Sequence, residues 1–331
     1  MSMAVSEFLI GSVVSLLTSW LLVTRLERIG ERFGFTEGLL GVLAALAADA
    51  PEITSAVTAL SQHQRNIGAG VVIGSNVFNL AALLGLSATV AGFVALHRRV
   101  VVLGGVVGLW VAATTVAAVT HLLPVWLALT LALLGFLPYV VVLGLRRHHL
   151  LSAPLPEGLR DWLAVAVAEE EAELDEAIRP RRARGSDYAV AAASLVLVVS
   201  ASVAMEHGAT SLGRHFHVAD AIIGALVLAA VTSLPNAVAG VHLAAKGRGA
   251  AALSTTLNSN NLNIVAGLLV PGLFLGLAPL SLPGGLTAWC YAGLTLVTLG
   301  FAFVSRGLRR WQGLVIVASF VAYASIMVAV S

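Results

Sequence analysis

Residues 48–52, Ala-Asp-Ala-Pro-Glu, and 74–79, Gly-Ser-Asn-Val-Phe-Asn, have counterparts 184 positions further along the chain. Thr232-Ser233-Leu234-Pro235-Asn236 answers the first stretch, and Asn258-Ser259-Asn260-Asn261-Leu262-Asn263 answers the second. The offset puts Pro51 on Pro235, Ser75 on Ser259, Asn76 on Asn260 and Asn79 on Asn263 without a gap, and Ala82 on Ala266 and Leu84 on Leu268 continue the match. Single identities arise by chance, but a shared P-x23-S-N-x-x-N is specific enough to mark an internal duplication.

The sequence around these motifs is apolar. Of 331 residues, 58% are hydrophobic and 11% charged, against roughly 25% charged in a soluble domain. With a mean hydropathy of +0.93, the chain has too little polar surface to dissolve itself, which excludes disorder and an ordinary soluble enzyme. Apolar runs fall at about 8–24, 36–61, 67–96, 100–118, 122–145, 188–205, 219–245, 249–279, 284–304 and 311–330, each long enough to cross a bilayer as a helix of about 20 residues. The prediction is an all-α polytopic membrane protein of about ten spans. Residues 1–145 form the first half, with a repeat at about 36–96, and 188–331 the second, with a repeat at about 219–279. Between them, 146–187 carries 16 of the 36 charges.

If that connection is cytoplasmic, 17 of the 19 basic residues lie on its side of the membrane, leaving Arg65 and Arg214 opposite. So lopsided a split fits the positive-inside rule and predicts both termini outside, a cytoplasmic loop and residence in the cell membrane. It also explains a basic balance that in a soluble chain would suggest nucleic acid, which is not expected as a partner. No Lys or Arg precedes Arg25, so the first run reads as a retained span rather than a signal peptide. Five spans per half is an odd number, so equivalent helices of the two halves cross in opposite directions, the inverted repeat of many transporters. The lone cysteine, Cys290, lies in an apolar run and reads as packing.

Asp49 and Glu52 are the only acids deep inside a predicted span, and their i, i+3 spacing puts them on one helix face. An ionised carboxylate facing hydrocarbon is costly and intramembrane acids are functional by default, so both are expected to face the protein interior. Pro51 lies between them and should break the helix by removing a hydrogen bond, freeing carbonyls near the acids as cation ligands. Ser75 and Asn79 share a face in the third span, Thr232 and Asn236 in the seventh, and the eighth carries the polar run 254–263. These are oxygen donors, with no thiolate or imidazole among them, which suits hard cations such as sodium, calcium or magnesium. Taken singly, Ser, Thr and Asn in membrane helices often only bond a neighbouring helix, and prolines often only kink. Their coincidence at symmetry-related positions is what points to a shared site. Two carboxylates in one pocket repel each other, which opens the site to competition by protons.

These residues resemble a known family. A Pro-Glu followed by Gly-Ser-Asn-x-x-Asn, duplicated with inverted topology, is similar to the alpha repeats of the sodium/calcium exchanger family within the cation/calcium exchanger superfamily. The motif likeness is confined to about 36–85 and 220–270. In that family two glutamates ligate calcium and share in sodium binding, helped by Thr, Ser and Asn/Asp side chains and helix-break carbonyls. The resemblance implies metal-binding roles for Glu52, Ser75 and Asn79, and for Thr232, Ser233, Ser259 and Asn263. It departs from the pattern at two places: Asn236 stands where the second glutamate would be, and Ala48-Asp49 replaces Thr-Ser. Asp49 and Asn236 therefore join the candidate set, with the second carboxylate moved onto the helix of the first and the symmetry of the site lost.

The expected function is a secondary antiporter exchanging calcium or another divalent cation for sodium or protons at one midplane site, with no resident cofactor. The loss of a family carboxylate leaves open a transport-inactive paralogue serving as a regulatory or scaffold subunit. An intramembrane hydrolase built on Ser75 and Asp49 lacks a histidine base within a span. The acidic run Glu169, Glu170, Glu171, Glu173, Asp175 and Glu176, followed by Arg179, Arg181, Arg182 and Arg184, lacks the Gly-containing spacing of a calcium loop and reads as a solvated helix with a basic anchor.

Overall fold

The computed structural model describes residues 1–145, 147–177, 184–277 and 281–330. Its helices follow the apolar runs, since a backbone in lipid must satisfy its own hydrogen bonds. They are α1 (Ser2–Arg32), α2 (Glu37–Ala48), α3 (Ala50–Ser61), α4 (Arg65–Ala91), α5 (Arg98–Val119), α6 (Val125–Gly144), α7 (Glu157–Ala177), α8 (Gly185–His215), α9 (Asp220–Thr232), α10 (Leu234–Ala245), α11 (249–275), α12 (Leu282–Ser305) and α13 (Arg310–Val330). Three carry a π-helical stretch, at Leu80–Leu86 in α4, Ile223–Leu228 in α9 and Asn263–Leu269 in α11. In α4 the stretch begins just after the S-N-x-x-N motif, at Leu80, and in α11 on the motif's last residue, Asn263.

Among the described residues, seven helices are long and apolar enough to cross a membrane, and two bent pairs bring the number to nine. The bent pairs are α2–α3, turning by 48°, and α9–α10, turning by 51°. α11 is the further helix expected from the sequence, and its polar stretch 254–263 is buried except at Thr255.

The outer helices expose large apolar side chains such as Leu9, Leu17 and Trp20 on α1, Leu134 on α6 and Val304 on α12, a surface suited to lipid. α4 and α11 lie inside, with α4 nearly wholly buried. α1 packs most extensively on α8. Close approach of backbones is what small residues allow in membrane bundles. Here a Cβ added at Gly74 would run into the Ala225 backbone, and one at Gly224 into Ile67.

A two-stranded antiparallel ribbon joins the halves of the chain. β1 (Phe93–Ala95) pairs with β2 (Gly307–Arg309) in the register Phe93↔Arg309, Val94↔Leu308 and Ala95↔Gly307. Arg310 extends the junction, its amide donating to Gly92 O at 2.8 Å and its Nε to Thr89 O at 3.0 Å.

The central connection differs from its expected form. α7 is not solvated all round: Leu163, Ala166, Val167 and Glu170, at helical spacing, are buried against α2, α5 and α11. The Ser254 hydroxyl donates to Glu170, and Arg99 pairs with Glu169 at 3.1 Å. Of the expected basic anchor, Arg179, Arg181 and Arg182 lie outside the described residues.

Candidate cation site

The site is built on two matched breaks. Asp49 joins α2 to α3 with φ −81°, ψ −2°, and Ser233 joins α9 to α10 with φ −83°, ψ −1°. These residues are 184 apart, and each is followed two positions later by a proline in the first turn of the next helix. Proline tolerates that position and cannot donate to the preceding turn, so both helices bend at the same step. Two of the carbonyls expected to serve a cation have protein partners instead. Ala47 O and Ala48 O accept from Ser19 Oγ of α1 at 3.0 and 3.2 Å, which meets the requirement that buried carbonyls find partners.

Across the breaks the carboxylates meet the opposite repeat. Ser233 Oγ donates to Glu52 Oε1 at 3.0 Å, and Asn236 Nδ2 donates to Asp49 Oδ1 at 2.8 Å. Ser259 Oγ also donates to Asp49 Oδ1, at 2.7 Å. Ser259 in turn accepts from Asn79 Nδ2 at 3.2 Å and from Asn236 Nδ2 at 3.4 Å. Thr232 turns its hydroxyl back to Leu228 O, 2.9 Å away on its own helix. Asp49, Glu52, Ser75, Asn79, Thr232, Ser233, Asn236, Ser259 and Asn263 are all buried, none more than 3% exposed.

Below this layer a clasp of asparagines joins α4 to α11. Asn76 Nδ2 donates to Asn260 O at 2.9 Å, and Asn260 Nδ2 donates to Asn76 O at 3.3 Å. Asn79 Nδ2 reaches Asn260 Oδ1 at 3.1 Å, and Asn263 Nδ2 reaches Asn76 Oδ1 at 3.3 Å. Within this clasp each bond of the first half has its image in the second, whereas the Asn79–Ser259 bond has none.

What remains unpaired defines the chemistry. Asp49 Oδ2, Glu52 Oε2, Ser75 Oγ, Asn79 Oδ1 and Asn263 Oδ1 are buried without a hydrogen-bond partner, as is Ser55 Oγ, one turn beyond Glu52. Buried polar groups are ordinarily satisfied, and an unpaired carboxylate oxygen in an apolar interior is costly. Two carboxylates and several neutral oxygens without partners are the kind of ligands that hard cations take.

Sequence reasoning named the nine candidates but missed Ser55, Asn76 and Asn260. The two asparagines were within reach, since each belongs to an S-N-x-x-N motif and they coincide at the 184-residue offset. It also missed three buried acids: Glu170 on α7, Asp187 at the start of α8, which pairs with Arg25 at 2.7 Å, and Glu206 further along α8, which is 0% exposed and accepts from Thr210 Oγ1 at 3.0 Å. Glu206 falls one residue beyond the apolar run that defined its span.

A helical chain with seven or more candidate membrane spans, and with buried carboxylates bonded across two proline-broken helix pairs, has the build of an ion transporter. The family follows from the sequence itself: the model of the sodium/calcium exchanger protein family matches residues 3–147 and 187–329, and the chain belongs to that family. A putative antiporter, CaxA of Alkalimonas amylolytica, is 24% identical over 334 residues, 95% of each chain. The sodium/calcium exchanger MaX1 of Methanosarcina acetivorans is 33% identical over 104 residues, covering 31% of this chain and 30% of its own. Among solved structures, the sodium-calcium exchanger NCX_Mj superposes with a TM-score of 0.61 at 19% identity over 97% of both chains. An H+/Ca2+ exchanger, CAX, superposes with a TM-score of 0.69 at 13% identity, over 99% of this chain and 85% of its own. These two likenesses establish the shared fold.

Proposed function

We propose that this protein is a secondary active antiporter of the cell membrane. It exchanges calcium or another divalent cation for sodium or protons at one central oxygen site, which is exposed alternately to the two sides. The observation that carries the reading is the set of unpaired oxygens at Asp49, Glu52, Ser75, Asn79 and Asn263, held by helices from both repeats. Site charge supports a divalent substrate, since two carboxylates balance two positive charges. Competition by sodium or a proton for the same carboxylates supplies the exchange. The matched breaks supply the mobile elements, as discontinuous helices do in inverted-repeat transporters. The charge asymmetry of the loops supports a cytoplasmic side for 146–187 and an outside location for both termini.

The alternative of a transport-inactive scaffold drew its force from Asn236. That force is weakened because a carboxylate, Asp49, is bonded to Asn236. The test is metal uptake into liposomes under an imposed sodium or proton gradient. Wild type is expected to take up calcium, with magnesium and manganese as comparison ions, and Glu52→Gln is expected to lose at least nine-tenths of the flux. Equal flux in the two proteins would remove the assignment, and absence of metal binding by the purified wild type would favour the scaffold.

A further inference from the structure

The operation that relates the repeats carries residue n onto n + 184. It takes Asp49 to Ser233 and Glu52 to Asn236. Applied to the hydrogen bonds of the site, it carries the Asn236–Asp49 pair, at 2.8 Å, onto the Glu52–Ser233 pair, at 3.0 Å. Each pair combines a hinge residue of one repeat, 49 or 233, with a residue one turn into the broken helix of the other, 236 or 52. In one pair the acid occupies the turn position and a hydroxyl the hinge. In the other the acid occupies the hinge and an amide the turn. The sequence suggested that a carboxylate had left the second half of the site and that symmetry was lost, but in space each half keeps one carboxylate and one neutral donor.

The pairs also leave matching oxygens unpartnered, although only Asp49 has a second anchor, Ser259, whose counterpart Ser75 Oγ has no partner. Ser233 anchors Glu52 through Oε1 and leaves Oε2 without a partner. Asn236, with Ser259, anchors Asp49 through Oδ1 and leaves Oδ2 without a partner. One oxygen of each carboxylate is fixed by neutral donors and the other is buried without a partner. Glutamate one turn into the helix and aspartate at the hinge are different routes to that arrangement, reached from opposite members of the pair.

We propose that the cation site consists of two half-sites, each requiring one carboxylate at either of its two positions. In this chain Asp49 does for the Asn236 half what Glu52 does for the other. Asn236 is then a positioning residue, whose amide fixes Asp49, and Asp49 is the ligand. This inference rests on the reading of the pocket as a cation site and adds a statement about which exchanges of residues the pocket tolerates.

The experiment relocates the charge. Asp49→Ser, Asn236→Glu and the double variant are reconstituted in liposomes, and each purified protein is also unfolded thermally with and without calcium. The double variant gives both pairs the same Ser–Glu composition. Each single variant is expected to fall below one-tenth of wild-type calcium flux, the first for want of a carboxylate and the second because a third carboxylate faces Asp49. The double variant is expected to recover at least one-third of wild-type flux together with its calcium-induced thermal shift. In metal-free protein the double variant is expected to regain the unfolding temperature lost by the singles, a readout independent of transport.

A double variant that folds yet remains as inactive as the singles, with no recovered calcium shift, overturns the proposal. So does Asn236→Ala with wild-type flux and an unaltered calcium shift, since the anchor would then be dispensable. If Asp49→Ser with Asn236→Glu fails to fold, the size-conserving exchange Asp49→Asn with Asn236→Asp is judged by the same criteria. Should wild type itself show neither flux nor a calcium shift, the cation-site reading fails, and the metal-free unfolding temperatures still decide whether the two positions are interchangeable.

Discussion

Asp49 Oδ1 accepts from two neutral donors on two helices, Ser259 of α11 at 2.7 Å and Asn236 of α10 at 2.8 Å. Removing one donor from an ionised acceptor costs about 1.5–3 kcal/mol where the bond is charge-assisted. Ser259 is also the acceptor for Asn79 Nδ2, so Ser259→Ala leaves an amide short of a partner as well. Loss of about 1.5–3 kcal/mol is expected for this variant by reversible unfolding in bicelles, with calcium-dependent stabilisation weakened at least tenfold in concentration. Thr232→Val is expected to do less, because the Thr232 hydroxyl returns to its own helix. At this scale the sequence displayed the acids and the duplicated hydroxyls and amides, because intramembrane polar residues are rare enough to stand out. It could not display their partners, which come from residues 180 to 210 positions away and depend on how four helices cross.

The broken helices were legible from Pro51 and Pro235, and the apolar runs from their length, because both signals are local. What occupies the broken turn was not. Ser19, a serine in the middle of an exposed-looking apolar helix, closes the two carbonyls that the break releases, and nothing in the α1 sequence distinguishes it from Ser12 or Ser15. Interhelical hydrogen bonds in membranes average about 0.6 kcal/mol and reach about 1.7. Ser19→Ala is therefore expected to cost about 0.6–1.7 kcal/mol in unfolding free energy, and Ser19→Cys less. A sharper test concerns α4, whose Gly74 sits against the Ala225 backbone. Overpacking a close contact costs about 1–3 kcal/mol, so Gly74→Val is expected to lower the unfolding free energy by that amount, whereas Gly300→Val, where an added Cβ meets nothing within 4 Å, should leave it unchanged. α7 illustrates the opposite failure of reading: its acidic run reads as solvated, yet the buried stripe Leu163, Ala166, Val167 and Glu170 leads into that run at helical spacing and was overshadowed by its charges.

Over the whole molecule, the pseudo-two-fold passes through the asparagine clasp, where Asn76 and Asn260 exchange amide-to-carbonyl bonds at 2.9 and 3.3 Å. Symmetry makes a quantitative demand. Asn76→Ala and Asn260→Ala each remove one donor to the opposite backbone and one acceptor for the opposite asparagine. Their unfolding penalties are expected to agree within about 0.5 kcal/mol. Residues in one network do not add independently, so the double variant should differ from the sum of the singles by about 0.5 kcal/mol or more. The duplication behind this was the most readable global feature, marked by an ungapped offset of 184 residues. The π-helical stretches that begin at the end of both motifs, and the strand pairing between the halves, were not readable, since neither leaves a periodic trace.

That strand pairing has a practical corollary. The ribbon at Phe93–Ala95 and Gly307–Arg309, reinforced by Arg310 on Gly92 and Thr89, fastens the end of α4 to the start of α13 without using the covalent link through 146–187. A gene severed within that link, giving two polypeptides made together in one cell, is expected to yield fragments that are isolated as a complex through an affinity tag on only one of them. Replacing Val94 by proline, which withdraws an amide and fits poorly inside a paired strand, should reduce the recovery of the untagged fragment.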